Sequence, residues 1–232
     1  MDFELELAAF IGQGNALAHS IPLEGAHRHI FGYCLLNDWS AKDIQWWEQV
    51  LGPFLGKSFM TSISPWVVTA QALAPFRALM APRPATVGPL LAYLAGASET
   101  LDLAMEAWLR TRSMREAGVD AVRLSLTNPR HLSWSFDQMI AHHTSNGCNL
   151  RTGDLIGSGT VSGESSTAMG CLTEMTMAGK EAVVLPNGER RLWLHDGDEM
   201  IFRARASRDG FKSIGFGECR GEVLPLLAQT EP

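Results

Sequence analysis

The run VVLPNGERRLWL sets Asn187-Gly188 between two apolar segments, and no other short-range signal in the chain restricts folding as strongly. A two-residue hairpin turn needs positive φ at its central residues, which Asn-Gly tolerates, and its twist matches that of the flanking strands. Antiparallel pairing near the C-terminal end follows. LHDGDEMIFRARA adds an Asp-Gly turn and another strand, and IGFGECRGEVLPL supplies a further one. Upstream, LDLAMEAWLRT alternates at Leu101, Leu103, Met105, Ala107 and Leu109, although its Ala, Glu, Met and Leu content favours helix. The alternation predicts a strand.

Helix signals are few. SAKDIQWWEQV offers Ser40 as N-cap with Asp43 three residues on, in a capping-box arrangement. SFDQMIAHHTSNG predicts a second helix, capped near Ser135 and stopped by Asn146-Gly147. Between a motif-dense, tryptophan-rich region (residues 2–76) and the hairpin-rich region from residue 99 onward, RALMAPRPATVGPLLAYLAGAS reads as an irregular surface connection. Strands dominate and helices sit at their margins, so the expected class is α+β with the sheet curling into a sandwich or roll. A chain of 232 residues that is 46% hydrophobic can fill the core this requires.

The first residues, MDFELEL, alternate acidic and apolar side chains. On a strand Phe3, Leu5 and Leu7 share one face and Asp2, Glu4 and Glu6 the other. The simplest expectation is an amphipathic edge strand with a solvated acidic side. The alternative is a hard-cation site: Glu4 and Glu6 stand roughly 7 Å apart along the strand, and two such carboxylates can converge on one oxygen-seeking divalent ion.

Charge and composition exclude several classes. A net charge of −6 without a Lys/Arg cluster argues against a nucleic-acid partner, and no apolar run reaches membrane-spanning length. Cytoplasmic localisation is the default expectation, with neither a basic region nor an apolar signal segment at the start. Cys34, Cys148, Cys171 and Cys219 show no CxxC spacing, so four buried thiols are expected rather than zinc.

Other candidate residues are scattered. Asp38 ends an apolar run just before a helix start, suited either to the helix dipole or to ligating the ion held by Glu4 and Glu6. Lys42 and Gln45 share one face of that helix. Lys57, in the loop LGPFLGKSFMTSISPW, has surroundings too apolar for a simple surface charge and suits stabilisation of a developing oxyanion. Thr160 in GSGTVSG can offer a hydroxyl to an anion, and Glu174 in GCLTEMTM is an acid in an apolar, alternating stretch that needs a partner or a raised pKa. His142 and His143, adjacent on a helix, point about 100° apart and cannot chelate together; they read as surface or packing residues.

FELEL, HIFGYCLLNDWSAKDIQWWE, LGPFLGKSFMTSISPWVV, HHTSNGCNLRTGDLIGSGTVSG and DGDEMIF through GFGECRGEVLPL, in that order along nearly the whole chain, closely resemble the fumarylacetoacetase family. The resemblance implies a mixed β-sandwich roll of the family's C-terminal type over residues 1–232, truncated at its N-terminal edge. It implies hydrolysis of a C–C bond in 4-fumarylacetoacetate to fumarate and acetoacetate in tyrosine and phenylalanine catabolism, with Ca²⁺ or Mg²⁺, by a homodimer. Glu4, Glu6 and Asp38 then match carboxylates of the principal ion, and Lys57 and Thr61 match positions near a second magnesium. Gln45, Lys57 and Lys42 correspond to oxyanion-stabilising groups, Gln49 and Thr160 to substrate contacts, and Glu174 to the acid orienting a catalytic histidine.

The family pattern has arginine at Lys42 and tyrosine at Gln49. An ammonium cannot reproduce a guanidinium's fork. The family's catalytic histidine and fourth metal carboxylate come from a segment preceding FELEL, and no histidine here stands at a matching position, so impaired turnover is expected. Two other readings fit the residues: a related metal-dependent hydrolase, decarboxylase or isomerase acting on another 2-oxo or 1,3-dioxo acid, and an inactive metal-binding dimerisation module. Most of the seven tryptophans are expected in the core, with Trp46, Trp47 and Trp66 suited to core or interface.

Overall fold

The computed structural model describes residues 1–80, 88–96 and 99–226. Two antiparallel sheets dominate. In the first, β1 (Leu5–Ile11) lies between β2 (Ile30–Asp38) and β9 (Leu155–Gly157), and β2 also pairs with β3 (Thr61–Ile63) and β4 (Val68–Thr69). The second runs β13-β12-β7-β8, with β7 (Leu103–Arg110), β8 (Val122–Thr127), β12 (Glu199–Ala206) and β13 (Ile214–Glu222). The alternating LDLAMEAWLRT segment is a strand as predicted: Leu103, Met105, Ala107 and Leu109 are fully buried. Its period-two pattern overrides the helix propensity because every second residue has a core to enter.

One core lies between the sheets. Phe3, Leu5, Leu7, Met200 and Phe202 all belong to it, and the Phe3 and Phe202 rings meet edge-on at 5.7 Å. Burying each such side chain contributes about 1.5–3 kcal/mol. The result is the strand-dominated α+β sandwich expected from the pattern. Asn187-Gly188 does sit in the turn of a short hairpin of β10 (Val183–Val184) and β11 (Arg190–Arg191), but the Leu185 N–H donates to the Glu189 carbonyl at 2.8 Å, so the loop is the three residues 186–188 and Gly188 alone, at φ 85°, takes a positive φ.

Two of the short helices flank the candidate site. These are α2 (Lys42–Glu48) and α5 (Leu172–Met175); α1 (Leu23–Ala26), α3 (Arg112–Glu116) and α4 (Phe136–Thr144) lie elsewhere. Ser135 caps α4 in a full capping box with Gln138, as anticipated. Ser40 does not cap α2. Ala41 holds the N-cap position, because the Ser40 backbone pairs with Asp2 and its hydroxyl donates to the Asp38 carbonyl at 2.9 Å.

Tertiary packing changed further expectations. β1 is an interior strand, not an edge, and its acidic side is covered as well: Lys42 from α2 and Lys57 close on Glu4, and Asp2, Glu4 and Glu6 are all buried. GCLTEMTM forms α5 rather than an alternating strand. The 77–98 connection begins as β5 (Arg77–Leu79), paired with β6 (Glu99–Leu101); residues 81–87 and 97–98 of it lie outside the described residues. Cys148 is exposed, whereas Cys34, Cys171 and Cys219 are buried. Of the tryptophans only Trp39 is buried in the core, while Trp47 and Trp66 are 85% and 66% exposed. Among the described residues no helix is long and apolar enough to cross a membrane.

Candidate functional site

The β1–β2 register assembles the site. Leu5 pairs with Asn37, so continuing the ladder by one residue sets Asp38 beside Glu4, and the Asp38 N–H donates to the Glu4 carbonyl at 3.3 Å. Glu6 follows on the same face of β1. One carboxylate oxygen from each of Glu4, Glu6 and Asp38 lies within 4.8 Å of the others. Thr61 is registered opposite Asp38 on β3, so it shares that face.

Two lysines close on the carboxylates. Lys42 Nζ donates to Glu4 Oε1 at 2.5 Å, and Lys57 Nζ bridges Glu4 Oε2 at 2.6 Å and Asp38 Oδ2 at 2.9 Å. Burial pushes the Glu4 carboxyl up, but the two ammonium groups outweigh it and hold the group below the usual range. Lys57 is raised: burial opposes its charge, and contact with Glu4 and Asp38 overcomes it. It therefore stays protonated, and an ammonium has no lone pair for a metal. The Lys57 side chain is thus excluded as a ligand; at this position only its backbone carbonyl has a lone pair to offer.

Glu6 is different. Burial first, then repulsion from Glu4 and Asp38, pushes its carboxyl up to about 8, against the attraction of Lys57 and a 3.1 Å hydrogen bond from the Gly159 N–H. Without a divalent ion, the folded state keeps this proton where the unfolded chain, at an ordinary 4.5, has lost it. The native state then binds more protons, so stability falls as pH rises from about 4.5 to about 8. Melts in chelator should show Tm dropping by about 5 °C or more across that window, and Glu6→Gln should flatten the slope. An equal slope in both proteins would remove Glu6 as its source.

The surrounding backbone is shaped to this cluster. A Cβ on Gly157, which pairs with Ala8 where β9 runs beside β1, would stand 2.7 Å from Glu6 Oε2, so a side chain there would push that carboxylate tip out of its place in the cluster. Asp2, read from sequence as a third solvated acid, is instead a buried clamp. It accepts the Leu172 and Thr173 N–H groups at 2.8 and 2.9 Å and the Thr173 hydroxyl at 2.6 Å, fixing α5 against the start of β1. That places Glu174, which accepts from the Ser162 hydroxyl at 2.5 Å and the Gly170 N–H at 3.1 Å. Glu174 thus has partners, which resolves its place in an apolar stretch; Ser162 was not singled out by the sequence, and Asp2 was read there only as part of a solvated face.

The remaining candidates divide. Gln45 lies one turn after Lys42, and its Oε1 is buried with no hydrogen-bond partner among the described residues. Thr160 packs against Gly170, where an added Cβ would meet its methyl at 2.6 Å. Gln49 is exposed at the C-cap of α2. No histidine joins the carboxylates among the described residues. A cavity of about 450 Å³ lined by Leu91, Leu94, Trp134, Met139 and His142 shares no residue with the site.

Three carboxylates, with Thr61 on the same face and no thiolate or imidazole among the described residues, form an all-oxygen donor set, which fits a hard divalent ion such as Ca²⁺ or Mg²⁺. Fold and site together define an α+β sandwich with a buried acidic cluster beside its β1–β2 ladder that could hold a hard cation. Residues 1–224 match the model of the fumarylacetoacetate hydrolase C-terminal family, and the chain belongs to that family. It is 45% identical over 229 residues to fumarylacetoacetase of Bos taurus and 44% identical over 229 residues to that of Oryza sativa, in each case over 98% of this chain. It spans about half the length of these curated relatives, 53% and 51%. Among solved structures, a fumarylacetoacetate hydrolase from Exiguobacterium antarcticum shares the fold at TM-score 0.55 and 21% identity, covering 96% of this chain and 56% of that one. A fumarylpyruvate hydrolase from Pseudomonas aeruginosa, solved with Mn²⁺ and pyruvate, matches at TM-score 0.55 and 20% identity, covering 96% of this chain and 65% of that one.

Proposed function

We propose that this chain carries the metal-binding half of a fumarylacetoacetase, which splits 4-fumarylacetoacetate with water into fumarate and acetoacetate. The observation that carries the reading is the convergence of Glu4, Glu6 and Asp38 with Lys42 and Lys57 on one ladder. Glu4, Glu6 and Asp38 would hold a Ca²⁺ or Mg²⁺ ion, which would supply Lewis-acid polarisation of the substrate's 1,3-dioxo group. The backbone carbonyl of Lys57 and Thr61 would serve a second magnesium.

The chain's own groups do the rest. As the C–C bond breaks, its electron pair leaves on acetoacetate as an enolate, the hydroxyl of water stays on the fumaroyl carbon, and a proton added to the freed CH2 carbon completes the methyl group of acetoacetate. Lys42, Lys57 and Gln45 face that developing negative charge, and the ammonium groups, fixed before reaction, need no reorganisation to stabilise it. Thr160 and Gln49 contact the substrate, and Glu174 orients an imidazole acting as general base. No such imidazole joins the cluster among the described residues, so these groups alone bind and polarise but do not activate water. Turnover by them is expected to be at least about 10²-fold below that of a complete site. The exposed Trp47, Val50, Leu51 and Leu55, close together along the chain at and after the end of α2, are apolar side chains that a second copy would cover in a homodimer in the cytoplasm.

Calorimetric titration with Ca²⁺ and Mg²⁺, followed by loss of fumarylacetoacetate absorbance, tests the reading. Saturable binding by the wild type that disappears in Glu4→Gln supports it, and absent binding in the wild type rejects it. Cleavage of acylpyruvates or oxaloacetate in preference to fumarylacetoacetate would assign the chain to a related hydrolase or decarboxylase instead.

A further inference from the structure

Glu48 is the last residue of α2, a position where a carboxylate opposes the helix dipole. Its place is explained by three successive backbone donors in the loop ahead of Lys57. Glu48 Oε2 accepts the Phe54 and Gly56 N–H groups, both at 3.0 Å, and Oε1 accepts the Leu55 N–H at 2.9 Å. The same N–H groups, that of Gly56 foremost, hold the Glu48 carboxyl below its ordinary range. Charge-assisted bonds of this kind are about twice as strong as neutral ones.

The loop is tied at its other side as well. The Gly56 carbonyl accepts from the Ala41 N–H at 2.9 Å, and a Cβ on Gly56 would lie 2.7 Å from the Gln45 nitrogen. Residues 54–56 are thereby pressed onto α2 from both ends of the helix. Lys57 is the next residue, and its ammonium reaches Glu4 and Asp38 from that fixed base. We propose that Glu48 is a positioning residue: by clamping residues 54–56 it holds the Lys57 ammonium on the Glu4–Asp38 carboxylates. The step from there to ion binding and catalysis rests on the site reading above, whereas the clamp itself does not.

Lys57 competes with a divalent ion for the same oxygens, so freeing it strengthens ion binding while weakening charge stabilisation. In Ca²⁺ titrations Lys57→Met is expected to bind about tenfold tighter than the wild type, and Glu48→Ala a few-fold tighter. Glu48→Gln, whose single amide oxygen keeps at most two of the three bonds, falls between the wild type and Glu48→Ala. In the Lys57→Met background Glu48→Ala should change affinity less than about twofold, because its effect passes through Lys57. General loosening would instead weaken binding equally in both backgrounds, and that result overturns the proposal.

A second readout needs no ion. Acetylation of lysines by an activated ester, followed by mass spectrometry, should show Lys57 labelled about tenfold faster in Glu48→Ala and measurably faster in Glu48→Gln, with Lys42 unchanged. Unchanged Lys57 labelling in the folded Glu48→Gln protein overturns the clamp whether or not Ca²⁺ binds. Absent Ca²⁺ binding in the wild type with faster Lys57 labelling in the variants rejects the metal site and leaves the clamp standing.

Discussion

Glu4→Gln is expected to lower the unfolding free energy by about 3–5 kcal/mol, the range for removing one partner of a buried ion pair. The Lys42 side chain is 8% exposed, and Glu4 is its ion-pair partner among the described residues. Lys57 keeps Asp38 in the variant, so Lys42 bears the loss. Urea unfolding checks this through the midpoint, with the slope unchanged. Glu4→Gln combined with Lys42→Met should recover most of the loss, because no buried charge is then left uncompensated. A loss below about 1 kcal/mol in the single variant would mean that water reaches the ammonium, and the buried-pair description would be wrong.

Asp2→Ala carries the second large effect. The Asp2 carboxylate is fully buried and serves the N–H groups of Phe3, Leu172 and Thr173 and the Thr173 hydroxyl. Buried donors left without a partner cost about 1–3 kcal/mol each, less whatever local relaxation recovers. A net loss of about 3–4 kcal/mol is expected, with Tm lowered by about 8 °C or more for a domain of this size. Asp2→Asn keeps one acceptor oxygen but turns an amide donor toward Thr173 or Leu172, so it should lose roughly half as much. Thermal melts of the three proteins would reject the clamp if Asp2→Ala melted with the wild type.

Much of the fold was legible because strand periodicity and turn chemistry are local. LDLAMEAWLRT, the Asn187-Gly188 hairpin and the Ser135 cap are set by residues within a few positions of one another. Ser40 misled for the opposite reason: its capping pattern is local, but a pairing with Asp2, 38 positions earlier, had already engaged it. The carboxylate set was legible by motif resemblance, whereas alternation alone favoured a solvated edge. Glu48, and the role of Asp2 as a clamp, escaped notice because the backbone donors they serve have no side-chain signature.

The sequence by itself determined which residues share a face: Phe3, Leu5 and Leu7 on one side of the first strand, Asp2, Glu4 and Glu6 on the other. Tertiary structure alone decided that the acidic side is buried. Whether a strand lies at an edge or in the interior depends on partners far along the chain, here β2 and β9, the latter some 150 residues away. Once the acidic face is buried, desolvation first and like charges second raise Glu6, lysines hold Glu4 ionised, and Asp2 turns inward to serve α5. Those consequences follow from distance and desolvation, which alternation in a sequence does not encode.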